Sequence, residues 1–157
     1  MSDFLKCVSV RLKEDAPIMG GEPITTPEAA VRTLARELKS YDREALCVIN
    51  LSVDKTPINM NIVSIGTLDY AVVHSRDVFK SAILSNASSI ILVHNHQSGL
   101  KPSASDIETT DRIKKAGELL GIPLLDHVIT NRTGAFYSIL GNVNGAVSDD
   151  LGMVAEN

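Results

Sequence analysis

"HNHQSGLKPSASD", residues 94–106, follows directly on the apolar run "SIILV" (89–93). Side chains alternate across a strand. If 89–96 is a strand, His94 and His96 therefore face the same side at its end, with Asn95 opposed. Asp106 comes ten residues after His96, behind a Gly/Ser/Pro-containing loop long enough to fold back. Two neutral imidazole nitrogens, one carboxylate oxygen and an open fourth position make a sensible catalytic zinc shell. Zinc lowers the pKa of a bound water towards neutrality. Hydrolysis would then need a carboxylate base outside the shell.

The same letters also have a plain structural reading. Ser103 is a good N-cap and Asp106 falls at N3, near the positive end of a helix. By residue type alone, capping is the commoner role for Asp106. A single His at the end of a buried strand is usually a hydrogen-bonded structural residue, but two on one face beside a loop are harder to explain that way. Spacing alone leaves both readings open. The letters "HNH" do not by themselves indicate the nuclease named for those residues, in which the three lie far apart in sequence.

Working outward, the pattern predicts a helix from Ser103 to about Leu120, stopped by Gly121 with Pro123 beyond. "IPLLDHVIT" is a strand, "NRTG" (131–134) a turn and "AFYSIL" the last strand. Towards the N-terminus, Ser75 can cap "RDVFKSAILSN", with Val78, Phe79, Ala82 and Ile83 on one face. "INMNIVSIGTLD" (58–69) reads as the hairpin partner of "ALCVINLSVD" (45–54), whose near-continuous apolar run suits a strand covered on both faces. "TTPEAAVRTLARELKSYD" reads as a helix with Thr26 as N-cap, Pro27 at its first position and a stripe of Ala30, Val31, Leu34 and Leu38. "APIMGGEPI" (16–24) is a loop, and residues 4–12 are strand-like. These elements predict an α/β fold: one domain with a mixed central sheet flanked by helices. The expected organisation is an N-terminal strand and loop over 1–24, part of or packed on the domain, then the domain proper over 25–140. A mobile tail is expected over 141–157.

The whole chain agrees with that size. It has 157 residues, 44% of them hydrophobic, enough for one core. Trp is absent and aromatics make up 4%, so the core must be aliphatic. The formal net charge of -4 argues against tight, sequence-independent binding to nucleic acid. No apolar run approaches the length of a signal peptide or a membrane span. Cys7 and Cys47 form no C-x-x-C, and Cys47 reads as a small buried hydrophobe. The expectation is a soluble cytoplasmic protein without membrane contact.

"ILVHNHQSGLKPSASDIETT", with "VSIGTLDYAVVHSRDVFKSAI" before it and "AGELLGIPLLDHVI" after it, resembles the RadC family. That family is a bacterial branch of the JAMM (MPN+, JAB) metalloprotease-like domains. The resemblance covers roughly residues 25–140. It implies a JAB/MPN-like fold, with the layered architecture also seen in cytidine deaminases. It also implies a bound zinc ion, Zn2+, held by His94, His96 and Asp106. Glu44, in "YDREALCVI", matches the family's activating glutamate. Ser103 matches the serine that supports the reacting carbonyl oxygen. His74, Arg76, Asp126 and His127 also fall in matched blocks, and are read as hydrogen-bonding or helix-turn residues in preference to partners of the site. Two departures lie in the loop: Gln97 stands where the family usually has Pro, and "QSGLKP" is one residue shorter than is common. The longer members carry an N-terminal helix-hairpin-helix region, and only about 25 residues precede the first helix here.

The activity implied is zinc-dependent hydrolysis of peptide or isopeptide amide bonds, with a peptide or protein as partner. Two further readings stand beside it. One is a DNA-repair-associated accessory, for which acidic charge predicts weak DNA binding at most. The other is a non-catalytic MPN-like interaction module. Exposed sheet edges leave a homo-oligomer open.

Overall fold

The computed structural model describes residues 5–15, 21–66 and 73–147. Three helices and six strands are formed within them. The order is α1 (Pro27–Lys39), β1 (Ala45–Leu51), β2 (Pro57–Ile65), α2 (Ser75–Leu84), β3 (Ser89–Asn95), α3 (Ala104–Leu120), β4 (Leu124–Thr130), β5 (Ala135–Ser138) and β6 (Val143–Ala146). The strands form one mixed sheet in the order β2-β1-β3-β4-β5-β6. β3 and β4 are parallel and the other neighbours antiparallel. The α/β fold with a mixed central sheet flanked by helices is the one the sequence predicts, and it is consistent with a JAB/MPN-like domain.

β1 and β3 lie at the centre and are buried along their whole length. That explains their near-continuous apolar sequences: each alternates its side chains between two covered faces. Ala45, Cys47, Ile49, Ile91 and Val93 pack against Ala30, Val31, Leu34 and Leu38 of α1. Leu46, Val48, Ile90 and Leu92 pack on the other face against Val78, Phe79 and Ala82 of α2 and Ile113 of α3. Thr26 caps α1 by accepting from Ala29 N at 3.1 Å. Burial, with the charge of Glu37 adding to it, pushes the Cys47 thiol up to about 12. Cys47 is thus a small packed hydrophobe. Among the described residues no helix is long and apolar enough to cross a membrane.

The sequence reading departs from the structure in four places. Residues 5–12 form no strand, and Leu5, Val8 and Val10 stand exposed. Their alternation is real, but among the described residues no sheet edge pairs with it. The cap of α2 is His74, not Ser75, and no side-chain bond closes it. Ile83, expected on the buried face, lies on the solvent side, and Ser81, to which no buried place was given, is buried. Finally, β5 is not the last strand. The stretch from Gly141, expected to be mobile, contains β6, and Val147 after it is buried. Residues 1–4, 16–20, 67–72 and 148–157 lie outside the described residues, and with them parts of the expected first strand (4–12), first loop (16–24), third strand (58–69) and tail (141–157).

α3 carries the functional loop to the rest of the fold, and its far end is held by close approach. A Cβ added at Gly117 would sit 2.5 Å from the Ile122 carbonyl oxygen and 3.2 Å from Leu124 N. Both are backbone atoms that cannot rotate away. Gly-to-Ala in an open helix gains up to about 1 kcal/mol. Here overpacking, worth roughly 1–3 kcal/mol, should reverse the sign. Gly117→Ala is expected to lower stability in chemical denaturation, and a gain would contradict the packing described.

Candidate metal centre

The site lies where the central strands end, on the face covered by α2 and α3. In β3, His94 follows Ile90 and Leu92 on that face. β1 pairs antiparallel with β3, with Leu46 opposite His94. Extending that register by two residues places Glu44 opposite His96. Glu44, His94 and His96 can offer ligand atoms that all lie within 4.8 Å of one another, so the group could hold a metal ion.

α3 brings the second carboxylate. Ser103 Oγ accepts from Asp106 N at 3.1 Å, and Asp106 Oδ2 accepts from Ser103 N at 2.7 Å. This capping box fixes the first turn. The same Asp106 carboxylate faces both imidazoles: Oδ1 is 3.4 Å from His94 Nε2 and Oδ2 is 3.3 Å from His96 Nε2. Asp106 thus caps the helix and also meets the histidine pair. The loop of residues 97–102 closes back far enough to bring Asp106 to both rings. Gln97 itself is exposed.

Asn95, between the histidines and on the opposite face, holds the chain around Glu44, just ahead of β1. Its Oδ1 accepts from Ala45 N at 2.7 Å and its Nδ2 donates to Arg43 O at 3.1 Å. The two bonds grip the backbone on either side of Glu44. Gly66 N donates to the Glu44 carbonyl at 2.7 Å from the other side. The sequence reading assigned Asn95 no role.

Behind His94 the site continues inward. His94 Nδ1 is 2.9 Å from His127 Nε2, and His127 Nδ1 is 2.6 Å from Thr110 Oγ1. Thr110 also donates to the Asp106 carbonyl at 2.7 Å. His127 therefore touches the site, where its sequence context favours a plain hydrogen-bonding residue, and Thr110 joins it. The signal for Thr110 is its position one helical turn after Asp106. Asp126 points to the opposite face, as alternation along β4 requires. Its carboxylate accepts from Ser138 Oγ at 2.6 Å, His127 N at 2.8 Å and Leu140 N at 3.2 Å, which ties the β4–β5 hairpin. His74 and Arg76 are exposed at the start of α2.

The electrostatics follow from burial and from Asp106. Burial, with His127 beside it, holds His94 well below the ordinary imidazole range. Burial likewise lowers His127, to about 4. Both rings are therefore neutral near pH 7. The Asp106 carboxylate holds His96 above its usual value. For Asp106, burial opposes ionisation, but His96, His94 and Ser103 outweigh it and hold the carboxyl well below the usual range. A charged carboxylate between two imidazoles is the result.

These residues suit a metal ion on two counts. His94 Nε2 is fully buried and has no hydrogen-bond partner among the described residues. An orphaned polar atom in the interior is costly, and a cation facing it would remove that cost. The 3.4 and 3.3 Å separations also exceed the usual N–H···O range of 2.7–3.2 Å. They match the edge of a tetrahedron with bonds of about 2.0–2.1 Å, which is roughly 3.3 Å.

Comparison with known proteins agrees with the geometry. The family described as RadC-like JAB domain matches residues 24–144. A UPF0758 protein of Caldanaerobacter subterraneus subsp. tengcongensis is 47% identical over 107 residues, covering 68% of this chain and 46% of its own length. UPF0758 proteins of Thermotoga maritima (46% over 102 residues, 64% of this chain and 46% of the relative) and Syntrophomonas wolfei subsp. wolfei (49% over 111 residues, 68% and 47%) are similar to it in the same way. The chain spans about half the length of the curated relatives it matches. With the match covering most of the chain and the fold in agreement, this protein belongs to the RadC-like JAB domain family.

Proposed function

We propose that the domain is a zinc-dependent hydrolase of amide bonds, peptide or isopeptide. The observation that carries this reading is the buried, unpartnered Nε2 of His94, facing Asp106 and grouped with His96 and Glu44. In this proposal His94, His96 and Asp106 hold the ion. Zinc, when bound, polarises a carbonyl and makes a water acidic enough to react near neutral pH. Glu44 takes the proton from the attacking water and later delivers it to the leaving amine. Its 4.8 Å neighbourhood with the histidines is within reach through one water. Ser103 Oγ accepts from Asp106 N, which leaves the hydroxyl proton to donate to the substrate oxygen as charge develops there.

Asp106 separates a ligand from a mere cap. At N3 an Asn side-chain oxygen can still accept from Ser103 N, though it is a weaker partner for the helix dipole, and it is a poor replacement for a charged oxygen ligand. Asp106→Asn is therefore expected to leave the thermal stability of the metal-free protein nearly unchanged and to weaken zinc sharply. Intact zinc affinity with a loss of stability would assign Asp106 to capping alone. Calorimetry on the metal-free protein and titration against a zinc chelator separate the two.

The activity is tested by offering zinc-loaded protein a library of peptides and isopeptide-linked peptides. Cleavage that stops on chelation and returns with zinc supports the proposal. Zinc-loaded protein that cleaves none of them turns the reading towards a non-catalytic interaction module.

A further inference from the structure

The proposed ligand set uses one nitrogen of His94, and the other leads into a buried chain of three groups. We propose that Thr110 and His127 are positioning residues. They keep the His94 proton on Nδ1, so that Nε2 faces Asp106 and His96 as a bare lone pair before any metal arrives. The use of that lone pair rests on the zinc reading above; the proton assignment does not.

The assignment follows by counting hydrogens from the fixed end. The Asp106 carbonyl oxygen can only accept. Thr110 Oγ1 lies 2.7 Å from it, so the single hydroxyl hydrogen of Thr110 is committed there. Thr110 Oγ1 is also 2.6 Å from His127 Nδ1. With its hydrogen used, the oxygen must accept, and His127 Nδ1 must carry the proton. A neutral imidazole has one N–H, so His127 Nε2 is bare. It lies 2.9 Å from His94 Nδ1, which must therefore donate. His94 Nε2 is left without a hydrogen.

The reverse assignment fails at its first step. If Thr110 donated to His127, its oxygen would face the Asp106 carbonyl oxygen at 2.7 Å with no proton between them. All three side chains are nearly or completely buried, so water is not at hand to relieve that contact. The geometry at the outer end agrees. His94 Nε2 is 3.4 Å from Asp106 Oδ1, longer than a hydrogen bond would be, as expected of a lone pair facing a carboxylate. Asp106 and Thr110 lie one turn apart on α3, so one helix delivers both a proposed ligand and the anchor of the chain. A ligating His commonly donates its other N–H to an outer partner that fixes its orientation. Here that partner is a second histidine, whose own tautomer is set by a threonine.

The test starts without metal. Long-range proton–nitrogen correlation spectra of metal-free protein labelled with 15N-histidine report which ring nitrogen carries the proton. The expected result is Nδ1–H and bare Nε2 for both His94 and His127. Thr110→Val should depopulate that tautomer of His94 and weaken zinc on the order of 10- to 100-fold, whereas Thr110→Ser should restore both. A proton on His94 Nε2 in the wild-type protein overturns the proposal, whatever the variants do and even if one of them fails to fold. So does a folded Thr110→Val protein with unchanged tautomer and zinc affinity. If the expected tautomer is found in a protein that takes up no zinc, the relay stands and the zinc reading falls.

Discussion

Purified protein should carry close to one zinc ion per chain, and His94→Ala should carry almost none. The size of the effect follows from position. His94 is completely buried between Asp106 and His127, and its Nε2 has no hydrogen-bond partner among the described residues. Losing an outer partner of a metal ligand typically costs about 10- to 100-fold in affinity, and losing the ligand itself should cost more. Truncation would also leave His127 Nε2 without its partner, so part of the change would appear as lost stability. Stability and metal content must therefore be read together. A folded His94→Ala protein that retains stoichiometric zinc would remove His94 from the site. His96→Ala provides the second arm, since His96 meets the other oxygen of Asp106.

Glu44→Gln is expected to have the largest effect on rate. The amide keeps the size of the side chain but cannot take up a proton at neutral pH. If Glu44 is the base, the variant should fold as the wild type does and bind zinc with similar affinity. It should hydrolyse any substrate the wild type accepts on the order of 100- to 10,000-fold more slowly. Asn95 and Gly66 hold only the backbone around Glu44, so the exchange should leave the strand in place. Near-normal turnover would require another base. Zinc loss in this variant would instead make Glu44 a ligand, which its place in the Glu44, His94 and His96 group also permits.

Much of the site was legible because local rules set it. The period of a strand puts His94 and His96 on one side, and the capping chemistry of "PSASD" begins α3 at Ser103. Asp106 looked ambiguous between cap and ligand because it meets the requirements of both, and the structure shows it touching both sets of atoms. Glu44 lies fifty residues from His94, and residue type alone favours a solvated charge there. Family resemblance singled it out, and the β1–β3 register explains why it arrives. His127 and Thr110 depend on which strand lies beside β3 and on how α3 sits over it, neither of which is encoded within a short window.

The misreadings have the same origin. "VNGA" lacks the apolar alternation of a strand, yet β6 forms because Gly145 pairs with Phe136. A Cβ added at Gly145 would meet the Phe136 ring at 2.4 Å, so the small residue that weakens the sequence signal is what the packing needs. Residues 5–12 present the opposite case. Their alternation suggests a strand, but a strand also needs a neighbour, and within the described residues none pairs with them.

The zinc ligands and the base are distinguished most directly by a crystal structure of the zinc-loaded protein with anomalous data collected at the zinc edge. One peak is expected, bonded at about 2.0–2.2 Å to His94 Nε2, His96 Nε2 and one oxygen of Asp106, with the Glu44 carboxylate outside bonding distance and within reach of a water on the ion. No peak at these residues, or a peak bonded to Glu44 with Asp106 left only as the helix cap, would contradict it.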